Sequence, residues 1–320
     1  MLIAVTGVGG FVGRYLCEYL LRRGHEVVGF SRNPGADANR LHQWLSNSPS
    51  RDPQHEFVNE SNLSWVAGRL GDQASVQRLL QSADAVIHSA VSRDKRSFMD
   101  TPSDPLKIYQ ANVLGCHQLL HAAAAAGVRR FVFLSSGAVH QRVLPDRVLD
   151  ETHPLLPGSI YGAHKAASET LVCAYHGTQN LQTANLRPTG IYGITDPITD
   201  SRWYALIRDI VEGRSVDIGS GAKLVHAADV ASAACLLVES PQSPGGDTFN
   251  CCDQFIANAT VAEIAKEITN SKSEFTGMRK PAGNAMVTQR IQQWGMQFGG
   301  HNKLRRTIQT IVQHLNPAHR

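Results

Sequence analysis

The sequence predicts an α/β fold in which a doubly wound parallel sheet carries helices on both faces and a smaller, mixed C-terminal lobe follows. Apolar strand patterns alternate with helical patterns over the first 188 residues, and repeated strand–helix units of this spacing form parallel sheets. A glycine-rich turn joins the first predicted strand to the first predicted helix. The alternation weakens after Pro188, where short strand and helix patterns are scattered.

The elements of the first part follow from hydrophobic periodicity and from turn residues. Buried strands are predicted at residues 2–6, 26–30, 64–67, 85–89, 130–135 and 182–186. Helices are predicted at residues 11–23, 73–81, 105–126 and 159–176. The helix at 11–23 has apolar residues on one face, and the Ala-rich helix at 105–126 ends at Gly127, a typical C-cap residue.

Residues 33–62 are polar and rich in Ser and Asn, which predicts a long loop with one short helix around residues 40–45. Further helices are predicted at residues 203–212, 228–237, 261–269 and 303–314. The predicted domain organisation is a main domain at residues 1–188, onto which residues 226–250 pack back. Residues 189–225 and 251–320 then form the smaller lobe.

The composition restricts the classes of function. The chain has 320 residues, 42% hydrophobic and 18% charged, which is enough for one large domain or two smaller ones. A formal net charge of +4 argues against a dedicated nucleic-acid binder, which needs a concentrated basic face. Because the six cysteines form no C-x-x-C pair and no zinc pattern with histidine, we expect free thiols and no metal site.

The sequence also predicts where the protein resides. An apolar strand begins directly after Met1, which leaves no room for a signal peptide. No run of 18 or more apolar residues is present, so we expect no membrane span. Both observations predict a cytoplasmic protein.

The glycine turn at residues 6–13 (TGVGGFVG) is typical of a dinucleotide-binding, Rossmann-type domain. Gly7, Gly10 and Gly13 allow a tight turn, close approach of a pyrophosphate and close helix–sheet packing. Phe11 and Val12 then begin a helix whose free N–H groups and positive dipole end face the phosphates. The spacing G-x-x-G-x-x-G differs from the commonest fingerprint, and a merely structural turn is the alternative interpretation.

Ser31 and Arg32 follow the second predicted strand. In NAD-binding domains a carboxylate at this strand end holds the ribose 2′-OH, and the sequence has no Asp or Glu there. A guanidinium and a hydroxyl suit a 2′-phosphate instead. The cofactor prediction is therefore NADP(H) in preference to NAD(H), with a solvent-exposed arginine as the alternative.

Tyr161 and Lys165 lie four residues apart on a predicted helix, and hence on one face. A phenol titrates near 10, and a nearby cation lowers that pKa, so the pair can move a proton as a hydride moves. Ser136 ends a buried strand about 25 residues earlier and can orient the reacting oxygen. Capping of a helix or turn is the other interpretation of that serine.

Taken together, these motifs resemble the extended short-chain dehydrogenase/reductase family, which includes nucleotide-sugar epimerases, dehydratases and reductases. The resemblance covers most of the chain. The motifs that carry it are 6–13 (TGVGGFVG), 84–90 (DAVIHSA), Asn112, 135–136 (SS), 161–165 (YGAHK), 186–193 (LRPTGIYG), 225–226 (VH), Asp229 and 249–250 (FN).

The resemblance implies roles for these residues. Tyr161 is the general acid/base, assisted by Ser136, and Lys165 bonds the nicotinamide ribose and tunes Tyr161. Ser89 and Ala90 line the path of that ribose, and Pro188 leads toward the nicotinamide amide. Asn112 holds active-site backbone or a water. The sequence departs from the family pattern at Ser31-Arg32 and at Gly68-Arg69, which bears on how the adenosine half of the cofactor binds.

Several alternatives stay open at this point. The substrate is a nucleotide sugar or another small hydroxy or carbonyl compound, and Arg202, Trp203, Arg279 and Lys280 are candidate contacts in the smaller lobe. Epimerisation and reduction are favoured over dehydration because no acidic residue follows Ser136. A non-catalytic, NADP-binding regulatory or redox-sensing protein is the main competitor, and a pure interaction module is another.

Two further expectations concern His140 and the assembly. His140 is expected to be a loop histidine that touches substrate or solvent, with a role as an additional acid/base group as the alternative. The two long helices at 105–126 and 159–176 are compatible with a homodimer through a four-helix contact.

Overall fold

The computed structural model describes residues 1–47, 58–95 and 97–316. The strands, in chain order, are β1 (Leu2–Thr6), β2 (Glu26–Ser31), β3 (Leu63–Ala67), β4 (Ala85–His88), β5 (Arg130–Leu134), β6 (Gln182–Pro188), β7 (Gly190–Tyr192), β8 (Val216–Asp217), β9 (Gly221–His226), β10 (Thr248–Cys251), β11 (Gln254–Ala257) and β12 (Phe275–Thr276). The helices are α1 (Phe11–Arg22), α2 (Pro34–Asn47), α3 (Gln73–Leu80), α4 (Pro105–Tyr109), α5 (Gly115–Ala125), α6 (Ile160–Ala174), α7 (Tyr204–Val211), α8 (Ala227–Glu239), α9 (Asn258–Thr269), α10 (Gln289–Gln293) and α11 (Gly300–Leu315).

The main sheet has seven parallel strands in the order β10-β6-β5-β4-β1-β2-β3. The strand order reverses between β1 and β4, because the chain fills one side of β1 with β2 and β3 before it crosses to β4. Ligands of such sheets bind outside the carboxyl ends of the strands at this switch point. The predicted doubly wound parallel sheet is confirmed.

Apolar side chains of the sheet are covered by helices on both faces. One core joins α1, α2 and α8 to one face, and the other joins α3, α5 and α6 to the opposite face. The strands of the middle of the sheet are buried except at the first residues of β1 and β5, as the sequence pattern of short, nearly continuous apolar runs predicts. The predicted strands and helices of the first 188 residues are confirmed, with ends that differ by at most two residues except in the 33–62 segment.

The smaller lobe contains a mixed three-stranded sheet in the order β11-β9-β7 and a pair of short parallel strands, β12 and β8. Helices α7, α9 and α11 pack together on this side of the molecule. Strand β10 instead pairs with β6 and extends the main sheet. The end of the main sheet and the lobe are therefore interleaved along the chain.

The prediction of a loop with a short helix at residues 33–62 is wrong in its first half. Residues 34–47 form the continuous helix α2, because Leu41, Trp44 and Leu45 supply a buried apolar face. The indole N–H of Trp44 donates a hydrogen bond of 2.9 Å to Glu18 of α1, which fixes α2 against α1. Residues 48–57 lie outside the described residues, and a single 3-10 turn, Glu60–Asn62, precedes β3.

The predicted helix at 105–126 runs from α4 to α5 through a π-helical turn, Gln110–Leu114. Such turns insert one extra residue per turn and occur often at functional sites. Gly127 has a φ of +75° and ends the helix as expected. Within the described residues, no helix combines the length and the apolar character needed to cross a lipid bilayer.

Candidate active site

The glycine turn lies between β1 and α1 at the switch point of the sheet. Gly7 has a φ of +78°, a conformation that L side chains rarely adopt. A Cβ at Gly7 would lie 2.7 Å from the backbone nitrogen of Ala90, and a Cβ at Gly13 would lie 2.7 Å from the Cα of Val8. Glycine is therefore required at both positions for the turn to approach β4 and for α1 to pack on the turn.

Helix α1 begins at Phe11 with Gly10 as its N-cap residue, and within the described residues no side chain caps this end. Gly10 is exposed, and Phe11 and Val12 are half-buried. The Gly10 N–H donates to the Gly7 carbonyl oxygen at 3.0 Å, whereas the N–H groups of Phe11 and Val12 lie in the first turn of the helix, where they have no intrahelical acceptor and where the dipole favours an anion. The arrangement fits the pyrophosphate of a dinucleotide.

The ends of the neighbouring strands converge on the same edge. The Ser89 hydroxyl donates to the carbonyl oxygen of Thr6 at 2.7 Å, and the Ala90 N–H donates to the Thr6 hydroxyl at 3.2 Å. Pro188 ends β6 and pairs with Cys251 of β10. These contacts fix the position of the strand ends next to the glycine turn.

The end of β2 differs from the sequence-based expectation. Arg32 is exposed, and the hydroxyl of Ser31 donates a short hydrogen bond to the carboxylate of Asp37 in the first turn of α2. The expectation that no acidic residue lies at this strand end is therefore wrong. The helix α2 brings a carboxylate back to the strand end from six residues further along the chain, so strand position alone could not reveal it.

Tyr161 is partly buried in the first turn of α6. Burial raises the pKa of the phenol above its usual 10, and the interaction with Ser136 opposes that rise. The Ser136 hydroxyl also accepts a hydrogen bond of 3.1 Å from the Ala138 N–H. Ser136 thus begins the 3-10 turn Gly137–His140 as its N-cap residue, which is the capping interpretation that the sequence offered.

Lys165 lies one helical turn from Tyr161 and is buried. Its ammonium donates a hydrogen bond of 2.5 Å to the carbonyl oxygen of Leu134, and it lies 6.0 Å from the centroid of the Tyr161 ring. Burial lowers the pKa of Lys165 to about 8, against the opposing effects of Cys116 and Glu169. The expectation that Lys165 lowers the pKa of Tyr161 is not met, because the pKa of Tyr161 is raised, with burial as the largest cause and Ser136 as the opposing one.

Asn112 lies in the π-helical turn and holds the backbone of Ser92. Its side-chain oxygen accepts from the Ser92 N–H at 2.7 Å, and its amide donates to the Ser92 carbonyl oxygen at 2.9 Å. Ser92 begins the segment that connects β4 to α4. Asn112 therefore fixes the start of this connecting segment.

The connecting segment covers one face of Tyr161. The ring of Phe98 lies 4.6 Å from the Tyr161 ring, centroid to centroid, with 31° between the planes. The guanidinium of Arg93 lies 4.7 Å from the Phe98 centroid. A cavity between this segment and α6 is lined by Arg93, Lys95, Phe98, Pro102, Ile108, Asn112 and Tyr161. Sequence analysis missed Phe98, since a lone aromatic residue in a polar loop gives no periodic signal.

The expectation that His140 touches substrate or solvent is wrong. His140 is buried, accepts a hydrogen bond of 3.0 Å from Arg187 and donates one of 3.2 Å to the carbonyl oxygen of Pro154. Burial, together with the positive charge of Arg187, lowers its pKa to about 4. His140 is therefore neutral at pH 7 and orients Arg187, which makes a bidentate ion pair with Glu169 of α6.

The candidate contacts in the smaller lobe divide into different environments. Trp203 is a core residue whose indole donates to Asn258 and whose ring packs on Tyr192. Arg279 pairs with Glu263 at the surface. Arg202 is the candidate near the strand ends, because a Cβ at Gly190 would lie 3.8 Å from its guanidinium.

Three potential metal ligands, His25, Cys235 and Glu239, lie within 4.8 Å of one another. Glu239 already accepts hydrogen bonds from His25 at 2.7 Å and from Arg23 at 2.8 Å. The group joins the start of β2 to the end of α8, at the opposite end of the sheet from the glycine turn. Its contacts are explained by this ion-pair network.

The fold and the glycine turn at its switch point define an α/β protein of the Rossmann type. The chain belongs to the NAD dependent epimerase/dehydratase family, whose model matches residues 3–252. Ser136, Tyr161 and Lys165 all lie within the matched part.

Two curated relatives illustrate the range of the family. A UDP-glucose 4-epimerase of Mycolicibacterium smegmatis is 31% identical over 219 residues, which cover 67% of this chain and 64% of the relative. A 3-beta-hydroxysteroid dehydrogenase of Mycolicibacterium neoaurum is 30% identical over 197 residues, 61% of this chain and 48% of the relative. The matched segments thus span only about half to two thirds of these relatives' length.

The fold is similar to that of the UDP-glucuronic acid 4-epimerase of Bacillus cereus, which was solved with UDP-glucuronic acid and NAD. The TM-score is 0.76 at 18% identity, and the match covers 98% of this chain and all of that chain. This similarity supports the same architecture, including the smaller lobe.

Proposed function

We propose that the protein is an NAD(P)-dependent oxidoreductase or epimerase that moves a hydride to or from a carbinol or carbonyl carbon. Tyr161 is the proton donor and acceptor, Ser136 orients the reacting oxygen, and Lys165 supports the pair. The placement of Tyr161 and Lys165 one turn apart on α6, with Lys165 bonded to the Leu134 carbonyl oxygen at the carboxyl end of β5, is the observation that carries this proposal. The glycine turn supports it with a cradle that fits a pyrophosphate.

The chemistry follows from the state of each group. The bound dinucleotide supplies or accepts the hydride at nicotinamide C4. Because burial raises the pKa of Tyr161, the phenol carries its proton at pH 7 and donates it to a carbonyl oxygen during reduction. In the opposite direction the phenolate must form, and the Lys165 ammonium one helical turn away stabilises it. Ser136 donates or accepts at the same substrate oxygen.

The substrate class is a small hydroxy or carbonyl compound, with nucleotide sugars as one branch. The two curated relatives support this breadth, since one is a sugar-nucleotide epimerase and the other a hydroxysteroid dehydrogenase. The names of both relatives indicate a reaction at a ring carbon that carries a hydroxyl group. We favour epimerisation or reduction over dehydration because Gly137 and Ala138 follow Ser136 without an acidic residue.

We also propose that the chain pairs with a second copy through α4, α5 and α6. Three large apolar side chains are exposed along the Pro105–Leu114 stretch: Leu106 at 76%, Tyr109 at 46% and Leu114 at 43%. Exposed apolar residues along one stretch of helix are typical of an interface. A mass measurement by light scattering in solution distinguishes one copy from two.

The Tyr161→Phe variant tests the proposed function. We expect turnover of NADH or NADPH with a panel of UDP-hexoses, aliphatic ketones and aromatic ketones to fall by at least about a hundredfold, because proton transfer contributes at least that much. The dissociation constant for NADH, measured by fluorescence, should stay within about twofold. Tyr175→Phe, at the end of α6 and bonded to His117, is the matched control.

Two results would contradict the proposal. Undiminished turnover in Tyr161→Phe would assign the proton transfer to another residue. Tight NADH binding by the wild-type protein without consumption of any panel member would favour the non-catalytic, regulatory function.

A further inference from the structure

The buried guanidinium of Arg187 joins three separate parts of the chain. Its Nε and Nη2 atoms donate to the two carboxylate oxygens of Glu169 on α6, at 2.9 and 2.8 Å. Its Nη1 atom donates to His140 at 3.0 Å and to the carbonyl oxygen of Glu151 at 3.4 Å. Arg187, Glu169 and His140 are each at most 4% exposed. One side chain of β6 therefore holds together α6, the loop before it and the 3-10 turn that follows Ser136.

Two of these parts carry the groups proposed to act on the substrate. Glu169 lies on α6 about two helical turns beyond Tyr161. His140 ends the 3-10 turn whose N-cap residue is Ser136. The turn is closed by a hydrogen bond of 3.3 Å from the Val139 N–H to the Ser136 carbonyl oxygen. Because the turn is short and bonded internally, a contact at His140 also restrains Ser136.

The same turn lies directly against α6 beside Tyr161. A Cβ at Gly162 would lie 2.5 Å from the carbonyl oxygen of Ala138, closer than a real Cβ comes to its neighbours. Gly162 follows Tyr161 in the chain and is buried. No side chain separates the turn from the helix at this point, so a movement of the turn changes the position of Ser136 relative to Tyr161.

His140 is the acceptor through which Arg187 holds this turn. The Nη1 atom of Arg187 can only donate, so Nε2 of His140 accepts. The carbonyl oxygen of Pro154 can only accept, so Nδ1 of His140 carries the proton and donates at 3.2 Å. Burial and the charge of Arg187 lower the pKa of His140 to about 4, which keeps the imidazole neutral and able to accept at pH 7.

We infer that Arg187 is a positioning residue for the reaction: it holds the Ser136 turn against α6, so that Ser136 and Tyr161 meet the same substrate oxygen. The inference rests on the proposed function, since it requires that these two side chains act together. Arg187 is buried and acts through His140 and Glu169 rather than on the substrate. Groups that act in a transition state must be held within about 0.5 Å of their productive position, and a buried bidentate ion pair supplies such rigidity.

Steady-state kinetics of His140→Ala, with the panel compound that the wild-type protein turns over, test this inference. The substitution releases the turn and leaves the ion pair between Arg187 and Glu169 in place. We expect kcat to fall by about tenfold to a hundredfold, because a small misplacement of reacting groups has this effect. KM and the dissociation constant for NADH should stay within about twofold, since the loss affects the transition state.

A conservative variant and a matched control accompany His140→Ala. In His140→Gln the side-chain oxygen can accept from Arg187 and the amide can donate to Pro154, so kcat should stay within about threefold of the wild-type value. His25→Ala is the control, because His25 is also buried and bonds a charged side chain, Glu239, at 2.7 Å. It lies at the other end of the sheet and should leave kcat unchanged.

The double variant Arg187→Met/Glu169→Leu separates positioning from stability. Arg187→Met alone leaves a buried, unpaired carboxylate and destabilises the fold, whereas an apolar pair of similar volume often restores stability. We expect the double variant to melt at a higher temperature than Arg187→Met. Its kcat should nevertheless stay at least about tenfold below that of the wild-type protein, because the turn is still not held.

Three results would overturn the inference. They are a kcat of His140→Ala within about twofold of the wild-type value, an equal loss in His25→Ala, and a double variant that regains the wild-type kcat. Absence of turnover of every panel member by the wild-type protein would refute the proposed function. Crystal structures of the wild-type protein and of His140→Ala then decide the inference separately. The Ala138 carbonyl oxygen should move away from Gly162 by at least about 0.5 Å in the variant, and an unchanged separation would refute the positioning role.

Discussion

Three buried histidines stay neutral at pH 7 in this molecule. His88 shares a hydrogen bond of 2.7 Å with the Thr6 hydroxyl, His226 accepts from the Ala228 N–H at the start of α8, and His140 contacts Arg187. Burial lowers the pKa of His88 and of His226 to about 3, and that of His140 to about 4. An unfolded histidine titrates near 6.5.

The difference between the pKa values of these histidines in the folded and unfolded chain predicts that the free energy of unfolding decreases as the pH falls below about 6.5. In that range the unfolded chain binds protons that the folded chain does not, so the free energy of unfolding decreases with decreasing pH, down to the folded-state values near 3 to 4. Three such groups give a slope of up to about 4 kcal/mol per pH unit. Urea unfolding at pH 7, 6 and 5 measures this slope.

A substitution separates the contribution of one histidine. His140→Gln should reduce this slope by up to about 1.4 kcal/mol per pH unit, the share of one titrating group. A free energy of unfolding that is the same at pH 7 and pH 5 would contradict the burial of these imidazoles as neutral groups.

At the level of residues, sequence spacing was sufficient to predict which side chains lie together when those side chains are close along the chain. Tyr161 and Lys165 share one helix, so their placement on one face followed from helical periodicity. Asp37 and His140 could not be assigned in this way. The environment of His140 depends on Arg187, which is 47 residues away, and that of Asp37 depends on a helix that was predicted as a loop.

The helix α2 shows why an element can be missed. Its sequence contains polar residues and a Pro-Gly start, which lower its helical signal. Its stability comes instead from tertiary packing: Trp44 lies 4.9 Å from the Tyr15 ring, centroid to centroid, and bonds Glu18. The energy that favours this helix therefore lies in contacts that a local pattern does not contain.

The segment between β4 and α4 is the element that closes over Tyr161. Asn112 holds its beginning at Ser92, and Asp94 accepts a hydrogen bond of 2.7 Å from the Ser103 N–H, which ties its two ends together. Phe98 lies between these ends and packs on the Tyr161 ring. The segment thus shields the proposed proton donor from solvent.

We predict that Phe98→Ala lowers kcat/KM for the carbonyl compound that the wild-type protein reduces by about threefold to tenfold, since an aromatic pair contributes about 0.5–1.5 kcal/mol. The dissociation constant for NADH should stay the same, because Phe98 lies on the Tyr161 side of the site. Met99→Ala, at an exposed neighbouring position, is the control. A lower melting temperature with unchanged kcat/KM would mean that Phe98 has only a structural role.

For the molecule as a whole, alternating strands and helices were sufficient to predict the sheet and its parallel direction. The structure adds the strand order, whose switch between β1 and β4 places the glycine turn, Ser136 and Pro188 at one edge. The pairing of β10 with β6 crosses about 60 residues of chain, and a four-residue strand carries little local signal. Such long-range contacts fix how the smaller lobe is joined to the sheet.

A crystal structure of the protein grown with NAD tests the account most directly. The pyrophosphate should lie on the glycine turn between Gly7 and Gly13, and the adenosine ribose should lie at the carboxyl end of β2. The nicotinamide ring should lie beside the Tyr161 hydroxyl, with its ribose within hydrogen-bond reach of Lys165. A dinucleotide bound elsewhere, or a nicotinamide ring directed away from Tyr161, would contradict the account.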